Sequence, residues 1–280
     1  MSREMCYRCF WPKPLCWCAS IRPMATRTKF VLLMHPKEWK QEKAGTGRLT
    51  HLCLAGSELH MGIAFDEHEA VQSVLNHPHH FPVLLYPGAT ARNLTHGGLR
   101  ADDLGGRRLV VVLLDATWSC ARKMLRLSPS LQRLPRVMLT PPAPSRFVIK
   151  QQPQAGCIST LESVHEMLGA LERSGLDHYP LPAQLPALFQ QMQEYQIRCA
   201  CDPGRPGYRR HPYSPPAARV PLQGRSRSRR SRIFLKPGPA TEFLTMDETN
   251  GPRSSGQRDQ TPEQFNLPSA LNGADLLPET

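Results

Sequence analysis

No apolar run in this 280-residue chain exceeds six residues, Leu109 to Leu114, whereas a helix crossing a membrane needs about 18. A membrane-spanning helix is excluded. The first ten residues carry Arg3, Glu4 and two cysteines and lack the apolar stretch of a signal peptide. Secretion is therefore not expected, and a cytoplasmic location is. Neither G-x-G-x-x-G nor a Walker sequence occurs, so nucleotide binding through those glycine-rich loops has no support.

What the chain does have is positive charge, proline and cysteine. Lys and Arg number 35 against 23 Asp and Glu, a formal charge of +12, which suits an anionic partner, and nucleic acid is the commonest such partner for a soluble basic protein. The 28 prolines exceed the usual share of about 5%, and they concentrate at one end. Residues 203–280 hold 12 Pro, 7 Gly and 7 Ser, so this stretch is expected to be a disordered basic tail. Within it, Arg225, Arg227, Arg229, Arg230 and Arg232 are interleaved with serines, a pattern that cannot bury itself and suits either phosphate contact or plain solubilisation. Residues 1–202 keep 23 basic and 16 acidic side chains. The part expected to fold is basic by itself.

The nine cysteines are an odd number in a chain expected to stay in a reducing compartment, so a disulfide framework fits poorly. Cys6-x-x-Cys9 is followed by Cys16-x-Cys18, and four thiolates in thirteen residues can close a tetrahedral zinc site from two sides. With four protein ligands such a site is structural, and Trp11 and Trp17 are placed to shield it. Cys53, Cys120 and Cys157 read as buried small hydrophobes. Cys199 and Cys201 read as incidental or as a weak metal pair.

Three short apolar runs, Lys29 to Met34, Phe81 to Tyr86 and Leu109 to Leu114, each end in Pro, Gly or a polar turn and read as buried parallel strands. Between and after them, residues 48–56, 67–76, 118–127 and 161–174 read as helices. Alternation of this kind predicts an α/β fold. The third strand delivers Asp115-Ala116-Thr117-Trp118 at its carboxyl end, the edge where open α/β sheets bind ligands. A helix cap is the competing role for Asp115 or Thr117. Leu85-Tyr86-Pro87-Gly88 also follows a strand, and Ser159-Thr160-Leu161-Glu162 opens a helix with a capping pattern. His35-Pro36 ends the first strand at the same edge. Arg122, Lys123 and Arg126 follow Trp118, on a face suited to solvent or to an RNA backbone. His77, His79 and His80 read as an exposed loop.

Taken together these motifs resemble the DTW-domain family, named for the Asp-x-Thr-Trp element that stands here as Asp115-Ala116-Thr117-Trp118. Similar to that family are also Cys6, Cys9, Cys16 and Cys18, His35-Pro36-x-Glu38, Gly45-Thr46-Gly47-Arg48-Leu49, Leu85-Tyr86-Pro87 and Lys123-Met124. Pro129 with Leu131, Leu134-Pro135, Ser145-Arg146-Phe147 and Ser159-Thr160-Leu161-Glu162 continue the match, which covers about residues 5–197. Gly45 stands where an asparagine is common, and Ala116 where a glycine is. The resemblance implies a SPOUT-like, mostly parallel sheet with a deep trefoil knot. It divides the chain into a zinc-knuckle segment (1–28), a catalytic domain (29–202) and the tail (203–280).

The activity it implies is transfer of the 3-amino-3-carboxypropyl group of S-adenosylmethionine to N3 of a tRNA uridine, releasing methylthioadenosine. Asp115 is then the group that accepts or orients the N3 proton, with Thr117 and Trp118 as catalytic-site partners. Tyr86, Pro87, Ser145, Arg146, Ser159, Thr160, Leu161 and Glu162 are expected around the cofactor or the uridine. Two other readings stay open: the same transfer to ribosomal RNA, and a zinc-knuckle RNA-binding module without catalysis.

Overall fold

A computed structural model describes residues 4–13, 16–41, 45–150, 156–202 and 204. The tail with its Arg/Ser run lies outside the described residues, as do Pro14 and Leu15 of the cysteine loop. Six strands form one sheet: β1 (Lys29–Met34), β2 (Glu58–Met61), β3 (His80–Leu85), β4 (Arg92–Asn93), β5 (Arg108–Asp115) and β6 (Arg136–Met138). Their order is β2-β1-β5-β3-β6-β4 and every pairing is parallel. The three strands expected from the sequence are β1, β3 and β5, the centre of this sheet.

Helices cover both faces, which is why the central strands are apolar at successive positions instead of alternating. The eight α-helices of the described residues are α1 (Pro36–Gln41), α2 (Thr46–Cys53), α3 (Glu69–Leu75), α4 (Ala101–Leu104), α5 (Trp118–Arg126), α6 (Pro129–Gln132), α7 (Thr160–Arg173) and α8 (Gln184–Cys201). Phe30, Leu32, Val83, Val111 and Leu113 pack with Leu49 of α2, Leu161, Val164 and Leu168 of α7, and Leu188 and Met192 of α8. Val31, Leu33, Leu84, Val110 and Val112 point the other way, against Val71 and Val74 of α3, Met124 of α5 and Leu131 of α6. The period of two along each strand thus divides one apolar run between two cores.

Pro82 lies inside β3, where a proline withdraws a ladder donor. Leu84 donates its N–H to Pro135 O (2.9 Å), on the β6 side. Pro82, two residues earlier, faces that same side, and β6 pairs with β3 only from Leu84 onward. The missing N–H therefore interrupts no bond. At the opposite end of the fold, the buried Asp177 carboxylate accepts the N–H groups of Arg27 (2.8 Å) and Thr28 (2.9 Å), tying the loop after α7 to the entry of β1.

Some expectations need correction. Cys120 is half-buried, because the inward face of α5 is Ala121, Met124 and Leu125, and Cys120 falls about 100° to one side. Cys199 and Cys201 lie two positions apart on α8, one buried and one exposed, so they face roughly opposite directions and cannot close on one ion. No helix among the described residues is long and apolar enough to cross a membrane.

Candidate functional site

Because every strand is parallel, β1, β3, β5 and β6 all end at one edge, and the residues following them meet there. His35 follows β1, Asp115 ends β5, and Tyr86 follows β3. His35 donates its N–H to Asp115 O (3.0 Å), extending the β1–β5 ladder by one bond. Its ring is buried, and burial, then the charges of Lys37 and Lys123, lowers the imidazole pKa. The backbone N–H of Lys37 donates to Nδ1 (3.1 Å), which assigns the remaining ring proton to Nε2.

Asp115 is 6% exposed. Its carboxylate accepts the hydroxyl of Thr160 (2.6 Å), the first residue of α7, and faces Gly47 in the first turn of α2. A methyl group built on Gly47 would lie 2.2 Å from Asp115 Oδ2. The absent side chain is what admits the carboxylate. Three segments distant in sequence, around residues 47, 115 and 160, thus converge on one buried anion near two helix N-termini, where the helix field favours negative charge.

The cap of α5 is Thr117, which makes no side-chain cap bond; its hydroxyl lies 3.2 Å from Ser119 Oγ. Trp118 packs edge-on against Tyr86, ring centroids 5.9 Å apart, with the Arg136 guanidinium 5.8 Å from the Tyr86 centroid. Burial raises the Tyr86 pKa, partly countered by Arg122 and Arg136. Pro87 continues from Tyr86 along this edge.

Ser145, Arg146, Ser159 and Glu162 form a clasp. The Glu162 carboxylate accepts Ser145 Oγ–H (2.8 Å), Arg146 N–H (2.7 Å) and Ser159 N–H (2.8 Å), and Ser159 Oγ accepts the Glu162 N–H (3.2 Å). The α7 capping box read from the sequence is present and also holds the 145–147 loop. Leu161 is 1% exposed and belongs to the core. Of the expected site residues, then, Asp115 and Thr160 touch directly, Tyr86 and Trp118 touch each other, and Glu162 gathers Ser145, Arg146 and Ser159.

The cysteine segment forms a small reversal. Cys6 N–H donates to Trp11 O (2.7 Å), Phe10 N–H to Cys6 O (2.8 Å), and Met5 bridges Pro12. The Sγ atoms of Cys6, Cys9, Cys16 and Cys18 lie within 4.8 Å of one another, with Cys6–Cys16 at 3.5 Å, Cys9–Cys16 at 3.7 Å and Cys6–Cys18 at 3.8 Å. A tetrahedron with metal–sulfur bonds of about 2.3 Å has edges of about 3.8 Å. The geometry fits one ion held by four sulfurs. Backbone N–H groups of Cys9 and Arg8 bring the Cys6 thiol down to about 6, whereas burial, then the neighbouring thiols, takes Cys18 up to about 12. Trp11 packs edge-on against Trp17 (5.3 Å) and Tyr195 of α8 (5.9 Å), joining the knuckle to the core.

Arg48, next to Gly47, went unassigned in the sequence beyond its place in the Gly45–Leu49 motif. Its guanidinium carbon lies 4.8 Å from the Phe10 centroid and 4.3 Å from that of Trp39, and Nη2 donates to Trp39 O (2.8 Å). Burial lowers its pKa, and the negative charge of Asp115 opposes that. The knuckle and the Asp115 edge therefore meet through one arginine. The His77–His80 turn carries no metal cluster among the described residues; His80 Nδ1 bonds Val74 O (2.8 Å) instead.

These features define a class first: a helix-covered, all-parallel α/β sheet with a four-cysteine cluster that could hold a metal ion and a buried aspartate at its carboxyl edge. The DTW domain family model matches residues 3–197, and the chain belongs to that family. Among curated proteins, the chain is 32% identical over 177 residues to tRNA-uridine aminocarboxypropyltransferase 2 of Drosophila melanogaster, covering 61% of this chain and 67% of that protein. It is 32% identical over 203 residues to the protein of the same name in Mus musculus, covering 70% and 66%. It is also 24% identical over 221 residues to tRNA-uridine aminocarboxypropyltransferase A of Arabidopsis thaliana, covering 70% and 82%. The chain spans about two thirds of the length of the first two. No solved structure matches.

Proposed function

We propose that this chain is a tRNA-uridine aminocarboxypropyltransferase that moves the 3-amino-3-carboxypropyl group of S-adenosylmethionine to N3 of a uridine in tRNA. The observation that carries the reading is Asp115, a buried carboxylate at the carboxyl end of β5, held by Thr160 and admitted by Gly47. It stands in a chain whose family relatives bear that enzyme's name.

In the reaction a bond forms between uridine N3 and Cγ of the transferred group as the bond from Cγ to the sulfonium breaks. The electron pair stays on sulfur, and methylthioadenosine leaves neutral. The N3 proton must go elsewhere, and Asp115 is the acceptor in this reading, with the Thr160 hydroxyl holding the carboxylate. Trp118 and Tyr86 present rings on which adenine or the target base stacks. A uridine within folded tRNA has to be drawn out of its surroundings to expose N3. The Glu162 clasp fixes the loop that carries Arg146, and Pro87 follows Tyr86 at the same sheet edge. Most of the acceleration is orientation: the donor brings its own leaving group, and the site has to present Cγ, instead of the methyl, to N3.

The four-cysteine site is read as structural zinc, with no step routed through it, since four protein ligands leave no open position. The reading extends to a SPOUT-like chain path with a deep knot and to action in the cytoplasm. The test is nucleoside mass spectrometry of RNA from cells lacking the protein, with and without re-expression. Loss of aminocarboxypropyluridine from the tRNA fraction, restored on re-expression, is expected. Loss from ribosomal RNA alone moves the acceptor; no change in either fraction overturns the proposal.

A further inference from the structure

Five large apolar side chains are exposed among the described residues, and three of them, Met5, Tyr7 and Phe10, fall within six positions of the cysteine knuckle. Single exposed apolar residues need no explanation, but a cluster does. Tyr7 is 89% exposed, on the two-residue tip between Cys6 and Cys9. The Cys6–Trp11 and Phe10–Cys6 hydrogen bonds hold that tip beside the cluster of four sulfurs. Among the described residues, this bulky aromatic is held almost wholly in water on a hydrogen-bonded turn. It is thus preorganised for a flat partner.

The neighbouring residues narrow the partner. Arg8 is exposed beside Tyr7, and Lys37 is exposed on α1; Lys13 is also exposed, its charge shared with Glu4. Phe10, whose backbone is left-handed (φ 58°), turns its ring onto Arg48, which stacks in turn on Trp39. Gly47, the residue before Arg48, abuts Asp115. Aromatic rings interleaved with cations, continuous with the edge where the base reacts, suit a single-stranded polyanion carrying flat rings. We propose that the Tyr7–Arg8 tip, with the Phe10–Arg48–Trp39 stack behind it, is a platform on which an unpaired nucleotide of the RNA substrate stacks. This rests on the RNA-modifying reading for the identity of the substrate, while binding is measured apart from transfer.

The experiment uses the full-length, zinc-loaded chain and two fluorescent probes, an unpaired RNA oligonucleotide and a blunt duplex of the same sequence, with Tyr7→Ala and Tyr7→Phe compared by anisotropy. Loss of one base–aromatic stack weakens binding by about 5-fold to about 150-fold. That loss is expected for Tyr7→Ala on the unpaired probe and not on the duplex, with metal content unchanged. Tyr7→Phe, which keeps the ring, is expected to bind like wild type. Wild-type affinity in Tyr7→Ala, an equal loss in Tyr7→Phe, or an equal loss on the duplex would overturn the platform. A wild-type chain that transfers nothing, yet still needs the Tyr7 ring for unpaired RNA, would remove the enzymatic reading and leave the platform standing.

Discussion

Replacing Gly47 by alanine tests whether the close approach of α2 to Asp115 shapes the site. In an ordinary helix the change stabilises by up to about 1 kcal/mol, because glycine loses more backbone freedom on folding. Here the new methyl would lie 2.2 Å from Asp115 Oδ2, 2.4 Å from Cγ and 2.9 Å from Oδ1. The carboxylate has to move by about 1 Å, and its 2.6 Å bond from Thr160 goes with it. A buried hydrogen bond to a charged group contributes about 1.5–3 kcal/mol. Set against the helix gain, the net is a loss of about 0.5–2 kcal/mol. If Asp115 works where it stands, displacement by about 1 Å also lowers single-turnover transfer by up to about 10²-fold.

Gly169 in α7 is the internal control. A methyl there meets only the flexible end of Arg173, at 3.4 Å, so Gly169→Ala is expected to stabilise by about 0.5–1 kcal/mol. Urea unfolding of both variants with transfer assays alongside decides the matter. A Gly47→Ala protein as stable and active as Gly169→Ala would refute the reasoning.

Other outcomes follow from single groups. Glu162→Gln replaces an acceptor of three hydrogen bonds by one able to serve fewer, and should lower unfolding free energy by about 1–3 kcal/mol in urea titration; an unchanged midpoint would contradict the clasp. Cys9→Ser should lower bound metal and thermal stability together, because metal binding and local folding share free energy; full metal content by elemental analysis would contradict the four-sulfur site. For Glu58, burial raises the pKa, but hydrogen bonds from Lys29 and His60 more than offset this and leave it lowered. A lowered folded pKa means that this contribution is complete above the ordinary value of 4.5 and is lost as pH falls through the lowered one. Glu58→Gln should therefore flatten the acid side of a melting-temperature profile below about pH 5; an unchanged slope would contradict the pairing.

The centre of the fold was legible because it is driven by local hydrophobicity. Strands β1, β3 and β5 are continuous apolar runs, and α7 carries its own capping box. The short strands β2 and β4 at the sheet edges and β6 inside β4 were not, since four, two and three residues leave no pattern to read. The 18-residue helix α8 escaped for another reason. Pro180, Pro182 and Pro186 surround its start, and prolines suggest a break, yet Pro186 sits in the first turn, where no intrahelical donor is lost. The inward spacing of Leu185, Leu188, Phe189 and Met192 was the available signal.

The site divides in the same way. Asp115, Thr160 and the four cysteines stood out by type and spacing, whereas their convergence depends on sheet order, which no local pattern encodes. Asp115 contacts Thr160 across 45 positions. Arg48 could be matched to a motif but not given a surrounding, because its partners Phe10 and Trp39 belong to different segments. The burial of Asp177 against Arg27 and Thr28, 150 and 149 positions away, has the same origin.

The most direct measurement is single-turnover transfer of a labelled aminocarboxypropyl group from S-adenosylmethionine to unmodified tRNA by zinc-loaded wild type and by Asp115→Asn. The substitution keeps the size of the side chain and an acceptor for Thr160, so folding should change little. Wild type should label uridine at N3, and Asp115→Asn should be slower by roughly 10²–10⁴-fold, the range for a lost general base, with much smaller change in donor binding. Wild-type protein that labels no uridine in tRNA, or Asp115→Asn that labels it at the wild-type rate, would contradict the account.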